Sequence, residues 1–174
     1  MIRRNKTAWA AIIAIATIAL SATSHAQQAM TKDKLVGTWR LVSFKSTTGN
    51  QVSYPLGEHP GGLVGYTASR IWVMFMDLDR KSPVTATLSD SEAVALMKSH
   101  VAYAGRYDAD PTQTPDGIKI VIHVDSAANQ AIVGTDRTFF VRVDGDKLTV
   151  TSPAALIPAS GLTSSVQLQM MKTD

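Results

Sequence analysis

The chain contains no cysteine. That excludes a disulfide staple, a thiolate nucleophile, a thiolate metal site and a lipid carried on an N-terminal cysteine. His59, His100 and His123 are scattered, with no His-x-His or His-x-x-x-His spacing, so no metal site is expected. A Gly-x-Ser-x-Gly elbow is absent as well. Gly61, Gly62 and Gly65 fall in a proline-bearing loop and a hairpin rather than ahead of a helix, which removes the phosphate-loop reading and leaves no cofactor motif. Asp77 and Asp79 stand beside Arg80 and Lys81 and read as a solvated turn, not as a pair of catalytic carboxylates.

A net basic character is also missing once the N-terminus is set apart. The formal charge of +3 equals the contribution of Arg3, Arg4 and Lys6, with no acid before Ala26, so the remainder is balanced. Neither a nucleic-acid partner nor an anionic membrane surface is expected. Those three cations, the apolar stretch Ala8 to Leu20 and the small-residue site Ser24-His25-Ala26 form the three-part layout of a secretory signal peptide. The apolar stretch is shorter than the roughly 20 residues that cross a bilayer, so cleavage after Ala26 is expected in place of a retained anchor. No membrane span remains after it. The protein is then periplasmic or secreted. The division is a signal peptide over 1–26, a flexible polar lead over 27–34 and one domain over 35–174, long enough to bury a sizeable core without staples.

The domain opens with Leu35-Val36-Gly37-Thr38-Trp39 leading into an apolar-rich strand. Gly37 lets the backbone bend sharply while the Trp39 indole plugs a barrel floor, so both carry structural roles. Alternation then gives strands over 37–45, 63–67, 71–78, 103–108, 118–125, 131–142, 147–151 and 166–171. Thr47 to Asn50, Ala68 to Arg70, Pro115-Asp116-Gly117 and Asp144-Gly145-Asp146 are the turns, and Tyr54 to Gly62 is a long loop. Only 89–102 changes period: Ser89 or Asp90 can cap a helix, Glu92 suits its first turn, and Val94, Met97 and Val101 share a face. Short strands at this spacing with one helix describe an all-β antiparallel meander that closes on itself, with about eight strands or more.

In order along the chain, Leu35 to Leu41, Tyr54-Pro55-Leu56-Gly57, Gly65-Tyr66-Thr67, Tyr103 to Tyr107, His123-Val124, Gly134 to Arg137 and Asp144 to Leu148 resemble the bacterial and fungal lipocalin-like domain family. The resemblance implies a lipocalin-type up-and-down barrel with an internal cavity. Lipocalins proper usually pack a basic side chain of the last strand over the Trp of the first. Here that strand offers Gln167, Gln169 and, nearer its end, Lys172, but no arginine.

The expected ligand-binding residues are Tyr66, Trp72, Met74, Tyr103, Tyr107, His123 and Arg137. In Ile71 to Met76 both faces are apolar, with Trp72, Met74 and Met76 on one and Val73 and Phe75 on the other. The larger set suits an irregular apolar molecule or simply fills the core. His123 shares parity with Lys119 and Val121, which leaves either wall open. Turned inward it orients a ligand or acts as a general base; otherwise it is a histidine satisfied by a carbonyl. Asp136 and Arg137 are adjacent and point to opposite faces, so Arg137 pairs with a neighbouring carboxylate or with the acidic head of a ligand. Tyr103 and Tyr107 share a face, with Gly105 between them open to a close approach by a ligand or by the helix.

Three functions follow: an exported protein holding a small hydrophobic or amphipathic molecule in the barrel; an isomerase or cyclase using the same cavity, with His123 or a tyrosine shuttling a proton; or a protein-interaction domain, marked by an exposed apolar patch beside Tyr54 to Gly62. The leader sets the first test. Intact-mass and N-terminal sequencing of the protein from an exported fraction should give Gln27 as the first residue; a chain still starting at Met1 would sink the cleavage reading.

Overall fold

The computed structural model describes residues 31–83 and 85–173. The expected leader and the first part of the polar lead lie outside the described residues. Among the described residues the strands are β1 (Gly37–Thr48), β2 (Gln51–Ser53), β3 (Pro60–Tyr66), β4 (Arg70–Asp77), β5 (His100–Thr114), β6 (Gly117–Ala127), β7 (Asp136–Asp144), β8 (Lys147–Thr151), β9 (Ala155–Ile157) and β10 (Leu162–Lys172), with one α-helix, α1 (Asp90–Lys98), between β4 and β5. They form one antiparallel sheet in the order β2-β1-β3-β4-β5-β6-β7-β8-β10-β9, and pairing of β1 with β10 closes a ring of eight. A closed meander leaves no long edge unpaired, and here only the short β2 and β9 stand outside the ring.

Apolar alternation decides what fills the interior. Ile118, Ile120, Ile122 and Val124 of β6 are all buried, as are Ile71, Val73 and Phe75 of β4 and Leu148 and Val150 of β8. Two bulges reset the alternation. Val42 is an extra residue in β1 between the Leu41–Met170 and Ser43–Gln169 pairs, so the chain passes from Trp39 and Leu41 inside to Phe44 inside, while Val42 faces out. Asp125 is extra in β6, between the partners of Ala104 and Gly105, which returns Ala127 to the inner side. Strict two-residue periodicity cannot foresee either step.

The narrow end is closed as the N-terminal sequence implies. The 3-10 turn Lys32–Leu35, which overlaps the end of the lead expected to be flexible, seats Leu35 in the core, and the fully buried Trp39 indole donates from Nε1 to the Leu35 carbonyl at 2.8 Å. Lys172 pairs with Trp39 across the closing seam, and its ammonium lies 5.5 Å from the indole centroid. The last strand thus supplies a lysine where lipocalins proper use a basic side chain. Gly37 at φ +129° adopts a backbone few L residues tolerate, and a Cβ there would sit 3.3 Å from Lys172 Cε. Lys32 caps the same end, 4.5 Å over the Tyr107 ring.

Helix α1 is shorter than the periodicity suggests. Ser89 caps it with a reciprocal box, its backbone N–H donating to Glu92 Oε2 at 2.8 Å while its Oγ accepts from the Glu92 N–H at 3.3 Å. The helix stops at Lys98, and His100 to Ala102, expected in the helix, pair with β4 instead. Val101 therefore leaves the face assigned to Val94 and Met97 and turns toward the barrel core. No residue of α1 is buried, and no described helix is long and apolar enough to cross a membrane.

Trp39→Ala removes the largest fully buried side chain and should cost about 3–5 kcal/mol by urea unfolding. Lys172→Ala, which loses one cation–ring contact at an exposed position, should cost about 1 kcal/mol or less. Equal losses would show that the indole is not the plug.

Candidate functional site

The wide end of the barrel is ringed by α1, by the 3-10 turn Gln130–Ile132 and by the loops that carry β2 and β9. A cavity of about 610 Å³ opens there, bounded by Met97 and Lys98 of α1, by His100 to Tyr103 of β5, by Ala128 to Gln130 and Ile132, and by Phe44 and Arg137. Beneath it lies a smaller space of about 100 Å³ among Val73, Phe75, Ile122, Phe139, Leu168 and Met170. Phe44, Val101, Tyr103 and Arg137 line both parts and form the throat between them. An apolar concavity with a few polar groups at one level is the usual form of a small-molecule site.

Of the seven expected ligand-binding residues, Tyr103 and Arg137 stand at this throat. Arg137 has the parity of Phe139 and Val141, which places its side chain on the inner side, with its guanidinium carbon 6.0 Å from the Tyr103 centroid and 6.0 Å from that of Phe139. Among the described residues no carboxylate pairs with it. Burial pushes the Tyr103 phenol up to about 12, with Arg137 pulling the other way, so its hydroxyl is a proton donor throughout the physiological range.

Tyr66 and Tyr107 also point inward, but they form the packed floor and border neither part of the cavity. Their rings meet edge to face at 5.5 Å, and the Tyr107 hydroxyl donates to the Thr67 carbonyl at 2.9 Å. Burial raises both phenols above their ordinary range. Gly105, between Tyr103 and Tyr107, admits neither ligand nor helix: a Cβ there would strike the backbone carbonyl of His123.

Trp72, Met74 and His123 correct the expectation most plainly, since all three lie on the outer wall. Within β4 the smaller set, Val73 and Phe75, is buried in the interior, while Trp72 and Met74 are exposed. Trp72 lies across Gly65, its partner on β3, where a Cβ would collide with the indole. That glycine opposite an aromatic was the available signal, because bare backbone on an outer wall is commonly covered by a neighbouring ring. Phe44, Phe75 and Val101 were missed as liners for separate reasons: the first sits beyond a bulge, the second on the parity not chosen, the third beyond the end of the helix.

His123 is held between two carboxylates. Its Nε2 lies 3.0 Å from Asp108 Oδ2 and its Nδ1 2.7 Å from Asp136 Oδ1. Only the imidazolium donates at both nitrogens, so hydrogen bonding first to Asp108 and then to Asp136 raises its pKa above 6.5. Register brings these groups together, since His123 faces Asp136 directly on β7 and Asp108 sits diagonally across β5. No group of three or more His, Asp or Glu suited to a metal ion occurs among the described residues.

A barrel of this topology, closed at one end by a Gly-x-Trp strand and a 3-10 turn and open at the other into an apolar cavity, agrees with the family comparison. The model of the lipocalin-like domain matches residues 36–171. The chain belongs to the lipocalin-like domain family. No curated protein and no solved structure matches it.

The His123 cluster makes a pH prediction. A folded-state pKa above the unfolded value means that its stabilisation is complete below about pH 6.5 and is lost as pH rises through the folded pKa. The stability difference between the protein and His123→Gln should therefore shrink across that window, and an NMR titration should place His123 above 6.5. A flat difference from acid to alkaline pH would count against the paired imidazolium.

Proposed function

We propose that this lipocalin-like domain is an exported binding protein that holds a small hydrophobic or amphipathic molecule in its barrel cavity. One observation carries the reading: the cavity of about 610 Å³ at the open end shares Phe44, Val101, Tyr103 and Arg137 with a small apolar space of about 100 Å³ beneath it. Its volume lies within the range of small-molecule sites. The inner lining is mainly aliphatic and aromatic, with Tyr103 and Arg137 at its polar edge, and Lys98, His100, Asn129 and Gln130 add polar groups around the outer part. Export is supported by the N-terminal layout of cations, apolar stretch and small-residue site. Of its expected proton carriers, the rival reading of proton-shuttling catalysis is left with Tyr103 alone at the cavity, because His123 lies on the outer wall and is not among the lining residues.

The test is uptake of a neutral fluorophore such as N-phenyl-naphthylamine, with native mass spectrometry of protein from an exported fraction to detect a retained ligand. Val101→Trp should fill the throat and weaken uptake about tenfold or more, a loss of about 1.4 kcal/mol, while leaving the far-UV spectrum unchanged. No uptake by the unmodified protein and no retained ligand would defeat the binding reading.

A further inference from the structure

The charged side chains that border the cavity are both cations, Lys98 and Arg137, and among the described residues no Asp or Glu lines it. Nearby acids are committed elsewhere: Asp136, next in sequence to Arg137, projects from the opposite face and accepts from His123, as does Asp108. Asp125 accepts from Arg70 at 2.8 and 3.0 Å. Arg137 keeps its full set of donors at the throat, braced by two aromatic rings and beside a phenol that stays protonated. His100 spends Nδ1 on the Leu96 carbonyl at 2.9 Å. A guanidinium presents parallel donors that match the planar oxygens of a carboxylate, and such charge-assisted bonds are the stronger kind.

We infer that the ligand is an anionic amphiphile of the carboxylate class, its head seated on Arg137 with the Tyr103 hydroxyl as a further donor. This rests on the binding reading above. The two parts of the cavity then divide the molecule. The inner space of about 100 Å³ holds only a short apolar group, on the order of three water-sized volumes, and the outer space takes the bulk of the apolar body against Met97, Val101 and Ile132. Lys98 adds attraction at the mouth that salt should weaken, whereas the contact at Arg137, partly shielded by rings, should resist salt better.

Displacement of bound N-phenyl-naphthylamine by octanoate and by octanol tests this. Octanoate should compete about tenfold better in the unmodified protein, and Arg137→Gln should erase that advantage while leaving octanol unchanged. Arg137→Lys, which keeps the charge but not the planar fork, should retain part of it. Equal competition by the two in the unmodified protein would overturn the anionic assignment and leave small-molecule binding standing. A preference that survives Arg137→Gln would remove the head group from Arg137. Failure of the unmodified protein to take up the fluorophore would instead overturn the binding reading itself, and with it this one. The comparison of octanoate with octanol needs no variant, so it decides the ligand class even where a substitution disturbs folding.

Discussion

The pairing of β1 with β10 is the contact on which the remaining structure depends. It runs from Trp39–Lys172 at the narrow end to Thr48–Ser164 at the wide one, and it turns an open meander into a ring. With no cysteine to staple the seam, closure rests on backbone hydrogen bonds and on the apolar interior that the ring encloses. The two are coupled. A sheet with two free edges would offer them to other chains and would have no inside, so burial of Trp39, Leu41, Leu168 and Met170 exists only because the seam is formed. Toward the wide end the seam strands gain the short partners β2 and β9, through Ser46 to Thr48 on one side and Leu162 to Ser164 on the other. The narrow end is thus packed and the wide end held by shorter, more exposed elements, which is where a cavity can persist.

Closure also explains which features were legible in the sequence. Once a strand belongs to a ring, one parity must face in, so clean alternation such as Ile118, Ile120, Ile122, Val124 reads directly as core, and Gly37-x-Trp39 reads as the start of a plugged barrel. Legibility fails where alternation fails. The bulges at Val42 and Asp125 move the inward set by one residue, and nothing local announces them. β4 is apolar on both faces, so hydrophobicity alone does not tell that Val73 and Phe75 turn inward while Trp72 and Met74 face out. His100 and Val101 continue a helical period, yet the pairings with Met76 and Phe75 override it, because a strand joining the ring gains a full ladder that one more helical turn at the surface does not match. The His123 cluster was unreadable for another reason: its partners lie 15 and 13 residues away and meet it only through the register of β5, β6 and β7.

The same parity sorts the charges, and the sorting gives the cavity its character. Ionic groups with partners lie on the outer wall, as in Arg70 with Asp125 and His123 with Asp108 and Asp136, and no charged side chain is buried among the described residues. An arginine deep in the interior would carry a desolvation cost that only an equally buried partner could offset. At the throat the cost is smaller, since one side of the guanidinium still meets solvent and the other meets ring faces of Tyr103 and Phe139. One residue earlier, the pleat sends Asp136 outward, and there it accepts from His123. Adjacent residues of opposite charge are thereby kept from neutralising each other by the two-residue repeat of the strand itself. The result is a cation that the fold positions and that no carboxylate among the described residues pairs, at the level of the barrel where the apolar interior gives way to water.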